Sequence, residues 1–118
     1  MANFIITRNK LFFEKIGEYN YCDLNDMVLP NIIAVDSETT SLKPILGDIF
    51  AVQIGTGENN YLIHCYDGNY EVEDIIPYIK DKVLVGQNLT FDLGFFYKYG
   101  FYPERVKDCM IASKILYN

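Results

Sequence analysis

Four consecutive apolar residues, Ile32-Ile33-Ala34-Val35, run directly into Asp36-Ser37-Glu38-Thr39. A run this short cannot supply a helix face, and an unbroken one reads as a strand buried on both sides of its sheet. Burial on both sides requires layers above and below, which restricts the chain to α/β architectures. Because strand side chains alternate, Asp36 and Glu38 project from the same face. Two like charges at the end of a buried strand repel and lose hydration unless something positive compensates them. A divalent cation does this well, and Mg²⁺ needs only one or two protein carboxylates plus waters. The same residues also fit a solvated turn at a strand end, where acidic side chains are common.

The remaining chain supplies the other layers. Ile49–Ile54 and Tyr61–His64 read as strands joined by the hairpin loop Gly55-Thr56-Gly57-Glu58-Asn59-Asn60, which makes them antiparallel. Ile75, Ile76 and Ile79 mark a helix, with Glu71, Glu73 and Asp74 where its N-terminus favours anions. Val83-Leu84-Val85 is a further strand, closed by Gly86. Phe91, Phe95, Phe96 and Tyr99 line one face of a helix that Gly100 terminates, Val106-Lys107 is a minimal strand, and residues 108–117 read as a last helix. From residue 30 onward the order is β-β-β-α-β-α-β-α, a mixed five-stranded sheet with flanking helices. Residues 1–29 read as an appendage, with strands at Phe4–Thr7 and Leu11–Glu14 and one helical turn at Asp23–Asp26. Residues 30–118 read as the domain proper.

Size and charge narrow the function. A chain of 118 residues, half of them hydrophobic, fits one domain with a real core. Its formal charge of −6 disfavours a protein that coats duplex DNA through basic side chains. Acidic side chains that hold divalent cations against phosphates are the exception. No apolar run is long enough to span a bilayer, and Met1-Ala2-Asn3-Phe4 does not begin a secretory leader. The expectation is a cytoplasmic protein, in the host cytoplasm if viral, without a membrane partner. Cys22, Cys65 and Cys109 are odd in number and widely spaced, and read as reduced thiols.

A second motif, Val85-Gly86-Gln87-Asn88-Leu89-Thr90-Phe91-Asp92, sets two side-chain amides at a strand end and a carboxylate in the first turn of the next helix. Amides there can bond phosphate, sugar or base edges. The pattern also fits plain helix capping, with Thr90 as N-cap and Asp92 complementing the helix dipole.

Taken in order, Asp36-Ser37-Glu38-Thr39-Thr40-Ser41-Leu42 and Gln87-Asn88-Leu89-Thr90-Phe91-Asp92-Leu93-Gly94 resemble the first two motifs of the DnaQ-like 3′–5′ exonucleases. Asp108-Cys109-Met110-Ile111-Ala112-Ser113 resembles the Asp-Thr-Met stretch that follows them. The string Val-Gly-Gln-Asn is typical of the proofreading domain of family A DNA polymerases from bacteria and their viruses. The resemblance implies a ribonuclease-H-like fold and two-metal phosphodiester hydrolysis, with Mg²⁺ or Mn²⁺ as cofactor and nucleoside 5′-monophosphates as product. It assigns Asp36, Glu38 and Asp92 to three of four metal-binding carboxylates. Thr39 and Leu42 match positions at the terminal nucleotide, the leucine as an apolar wedge, and Gln87 and Asn88 match contacts to the frayed strand. Phe91 stands beside them, with core packing as its simpler reading. The implied substrate is a single-stranded DNA 3′ end.

The family's third motif carries the fourth carboxylate and a tyrosine or histidine that orients the water, and residues 1–118 stop before it. Asp108 matches a position that is not a metal ligand and serves as a helix N-cap. The implied partner is therefore a completing C-terminal segment or an attached polymerase domain. Two other readings stand beside proofreading: ribonuclease-D-like trimming of RNA, and a truncated module that binds or assembles without catalysis. His64 reads as a structural residue, and Tyr97–Tyr102 as helix packing followed by a turn rather than a stacking surface for single strands.

Overall fold

The computed structural model describes residues 2–8, 20–65 and 69–108. Seven strands form one mixed sheet: β1 (Ala2–Ile6), β2 (Asn20–Tyr21), β3 (Ile32–Thr39), β4 (Ile49–Gly55), β5 (Asn59–His64), β6 (Val83–Gly86) and β7 (Val106–Asp108). Their spatial order is β2-β1-β5-β4-β3-β6-β7. The helices are α1 (Val72–Ile79) and α2 (Leu89–Lys98), and one 3-10 turn spans Leu24–Asp26. The β4–β5 hairpin is antiparallel as expected, with Gly55 opposite Asn60. β3 pairs antiparallel with β4 and parallel with β6, so it sits centrally with its carboxylate end pointing away from the hairpin loop.

The sheet is wider than the five strands expected, because the described part of residues 1–29 is built into it. β1 runs parallel to β5, Phe4 opposite Tyr61, and β2 pairs on its other edge. Burial of Ile5 and Ile6 explains the attachment: two large apolar side chains leave water, while their backbone groups are satisfied by the ladder. The seam expected at residue 29 is therefore not one in the sheet. The expected strand at Leu11–Glu14 and helix over 108–117 fall, apart from Asp108, outside the described residues.

Both helices pack on one face of this sheet. Ile33 and Val35 of β3, Val52 and Ile54 of β4, Tyr61 and Ile63 of β5 and Leu84 of β6 form one apolar cluster with Val72, Ile75 and Ile79 of α1 and Leu89, Phe95 and Phe96 of α2. α1 begins at Glu71, whose N–H donates to the Asp74 carboxylate at 2.9 Å, as an acidic first turn should allow. α2 ends where Gly100 adopts φ +80°, a left-handed conformation open to glycine without strain. The intervening positions of β3, Ile32, Ala34, Asp36 and Glu38, are exposed. This corrects the reading of Ile32–Val35 as buried on both sides: the run is continuous in sequence, but only its alternate residues meet helices.

No helix among the described residues is long and apolar enough to cross a membrane. Cys22 and Cys65 are free thiols. Burial, with Glu71, Asp74 and Glu73 nearby, pushes the Cys65 thiol up to about 12. At pH 8 its thiolate fraction, and so its alkylation rate, is expected to be on the order of 10³-fold below that of an ordinary thiol. Mass spectrometry after brief iodoacetamide treatment should find Cys65 unmodified in the folded chain and modified in urea. Equal labelling in both states would show the burial to be wrong.

Candidate metal and nucleic-acid site

The site lies where β3 outruns β6. Their parallel pairing ends at Ala34 opposite Val85, and β6 stops at Gly86. Beyond that point β3 keeps only β4 as a strand partner, which opens a notch along its other edge. A side chain at residue 86 could not fit here, since a Cβ would fall 2.9 Å from the Val35 carbonyl oxygen. Gly86 thus lets the chain turn closely past β3 into α2.

Asp92, in the first turn of α2, fills this notch. Its Oδ1 accepts a hydrogen bond from the Ser37 N–H at 3.1 Å and a second, short one from the Ser37 hydroxyl. Asp92 is 2% exposed. Burial raises its pKa above the usual carboxylate value and the Asp36 charge adds to this, while the Ser37 hydrogen bonds act in the opposite direction. Ser37 itself is buried, whereas Asp36 and Glu38 on either side project from the opposite face. Sequence reasoning missed Ser37. Its available signal was its place between two carboxylates, which turns its side chain towards the helices.

Neither Asp36 nor Glu38 has a hydrogen-bond or ion-pair partner among the described residues, so their negative charges stand uncompensated on one face. No three histidine, cysteine, aspartate or glutamate side chains among the described residues are arranged to hold one ion. Asp36 and Glu38 nevertheless suit a hard divalent cation, as two exposed carboxylates with free oxygens, whereas Asp92 lies with Ser37 on the helix side of β3, where burial opposes its ionisation. Mg²⁺ completes such sets with water and substrate phosphate oxygens.

Asp36 also borders a cavity of about 770 Å³ on the exposed face of the sheet, together with Gln87 and Asn88. Gln53, opposite Asp36 on β4, and Asn60 on β5 extend the lining with further amides. Gln53 and Asn60 were not anticipated, because their approach depends on strand register. Asn88 is the only described non-glycine residue with positive φ, at 54°. Asparagine tolerates this conformation better than most residues, and such strain concentrates at functional sites. Asn88, not Thr90, is the N-cap of α2, and the Leu89 N–H is satisfied by Asp108 Oδ2 at 2.8 Å. Asp108 thus caps α2 from β7, and its expected role at the following helix lies outside the described residues.

Thr39 closes β3 and donates its hydroxyl to the Ser41 carbonyl at 2.8 Å. Leu42 is 83% exposed on the loop that follows. Phe91 is half-buried against Phe95, their ring centroids 5.2 Å apart, as a core aromatic would be. His64 Nδ1 lies 3.2 Å from Asn69 Nδ2, a contact that ties the end of β5 to the approach to α1.

The family profile described as 3′-5′ exonuclease matches residues 5–117. DNA polymerase I of Aquifex aeolicus (strain VF5) is 44% identical over 85 residues, which make up 70% of this chain and 13% of that protein. Brucella melitensis NrnC superposes with a TM-score of 0.66, covering 98% of this chain and 52% of its own at 22% identity. Escherichia coli RNase D, an exoribonuclease involved in structured RNA processing, covers 100% of this chain and 30% of its own, with a TM-score of 0.61 and 17% identity. These two likenesses carry the fold, which is ribonuclease-H-like. The chain spans about half the length of NrnC and about an eighth of the polymerase. Because the profile runs from β1 through the strand and helix that carry Asp36, Glu38 and Asp92, the chain belongs to the DnaQ-like 3′–5′ exonuclease family.

Proposed function

We propose that residues 1–118 are the N-terminal part of a proofreading-type exonuclease that removes nucleoside 5′-monophosphates from single-stranded DNA 3′ ends. The observation that carries this reading is the uncompensated pair Asp36 and Glu38 on the open face of β3, the strand whose Ser37 holds Asp92 on its helix side. Two Mg²⁺ or Mn²⁺ ions, when bound, supply activation of the attacking water and stabilisation of the departing 3′ oxygen. Asp36 and Glu38 would hold them from the open face, and Asp92 from the notch beside β3. Gln87 and Asn88, at the rim of the cavity, offer amides to the strand's sugars and phosphates, while Thr39 and Leu42 meet the terminal nucleotide. In the reaction water adds to phosphorus, the bond from phosphorus to the 3′ oxygen breaks, and the new strand end takes up a proton.

DNA is preferred over RNA as substrate because the 44% identical relative is a DNA polymerase. A segment beyond residue 118, continuous or separately encoded, would contribute the fourth carboxylate and the water-orienting tyrosine or histidine. The 118-residue chain alone should therefore have negligible activity, since losing a single transition-state donor already costs on the order of 10²–10³ in rate. Adding the downstream segment should restore Mg²⁺-dependent release of 5′-mononucleotides from 3′-labelled single-stranded DNA. Restoration on RNA but not DNA would favour the ribonuclease-D-like reading. A completed chain that binds single strands without cutting either would favour a non-catalytic module.

A further inference from the structure

The loop from Thr40 to Asp48, which follows the carboxylate strand, presents three large apolar side chains to solvent. Leu42, Ile45 and Leu46 are 83%, 87% and 72% exposed. The loop beneath them is tied down. Thr40 N–H donates to the Asp48 carbonyl at 2.9 Å, and the Thr40 hydroxyl accepts from Asp48 N–H at 2.9 Å. Leu46 N–H closes a turn onto the Lys43 carbonyl at 3.0 Å. On α2, Lys98 Nζ lies 2.8 Å from Asp48 Oδ1 and also donates to the Gly47 carbonyl. Gly47 packs so closely on Ser41 that a Cβ would fall 2.6 Å from the Ser41 Cβ. Exposed apolar side chains on a loop held this firmly mark a binding surface more readily than a mobile connection.

Lys43, between them, is exposed, and its ammonium has no partner among the described residues. Lys98, the other cation at this loop, is paired with Asp48. One free cation beside two apolar side chains matches the repeating unit of a single strand, a phosphodiester and a base face. Leu42, at one end of the same loop, is assigned to the terminal nucleotide. We propose that Lys43, Ile45 and Leu46 form a second nucleotide subsite, Ile45 and Leu46 against a base and Lys43 at a phosphodiester, extending the substrate path along this loop. This rests on the exonuclease reading above.

The test compares binding of dTMP and tetrathymidylate, with Ca²⁺ as the cation, by the protein completed with its downstream segment, as wild type, Ile45→Ser/Leu46→Ser and Lys43→Gln. All three residues are exposed, so the variants should fold, as circular dichroism can verify. The double variant should bind the tetranucleotide about tenfold more weakly, a loss of about 1.4 kcal/mol, with dTMP affinity unchanged. Lys43→Gln should reduce the slope of log affinity against log salt by about 0.7, the value for one phosphate contact on a single strand. Tetranucleotide affinity and salt slope unchanged in both variants would overturn the subsite and leave the exonuclease reading standing. A completed wild-type protein that binds neither ligand would overturn both. If only the oligomeric state shifts in the double variant, the patch is a contact between copies and the subsite is overturned.

Discussion

Replacing Asp36 by alanine in the completed exonuclease is expected to reduce 3′-end hydrolysis by at least 10²–10³-fold, roughly the cost of one transition-state contact, while leaving the fold intact. Two positions converge on this carboxylate. Asp36 borders the cavity that Gln87 and Asn88 share, and its charge reaches Asp92 in the notch beside β3. Its removal therefore takes an anion from the proposed cation site and from the proposed path of the strand at once. Stability should change little, within about 0.5 kcal/mol, because the side chain is exposed and makes no hydrogen bond among the described residues. Single-turnover hydrolysis of a 3′-labelled strand, alongside a thermal melt, separates the two effects. Activity within tenfold of wild type, at equal stability, would remove Asp36 from the mechanism.

The sequence revealed local features more fully than distant ones. Asp36 and Glu38 share a face because strand alternation is a local rule, and the Gly55–Asn60 hairpin forms because its turn residues lie between two apolar runs. The N-terminal strand escaped recognition as part of the sheet because its partner is far away in the chain: Ile5 faces Leu62, a register that no short-range pattern encodes. β3 looked buried on both sides because Ile32-Ile33-Ala34-Val35 is uniformly apolar, yet burial depends on where α1 and α2 pack. The N-terminus of α2 was misplaced at Thr90 because threonine is a common cap, whereas Asn88 at φ 54° and Asp108 from β7 set it. Asp92 was found through motif order, but its buried hold on Ser37 depends on β6 ending before β3 does. The distant contacts that set the site's geometry were thus the part hidden from sequence.

Changing Asp92 to asparagine should make the protein more stable and less active. Burial, aided by the Asp36 charge, raises the Asp92 pKa above its value in the unfolded chain. The native state therefore holds this proton more tightly than the unfolded state does. The resulting stability is fully present below the unfolded pKa and is lost as the pH rises through the folded one. Above that window the wild-type protein keeps a buried anion. The amide introduced by Asp92→Asn would not carry that cost, while its oxygen could still accept from Ser37. In EDTA at pH 7 the variant should be more stable by about 0.5–2 kcal/mol, the usual gain from relieving a functional conflict. The difference should shrink as the pH falls below the carboxylate range. Saturating Mg²⁺ should reverse the order, because a cation that binds only the native wild-type site adds about 2.7 kcal/mol at a hundredfold excess over its dissociation constant. Denaturant titrations at acid and neutral pH, each with EDTA and with Mg²⁺, cover all of these conditions. A variant less stable than wild type in EDTA at pH 7, and equally so in acid, would show that Asp92 serves only as a hydrogen-bonding post for Ser37. A wild-type protein that gains nothing from Mg²⁺ would remove Asp92 from the cation site, whatever its effect on catalysis.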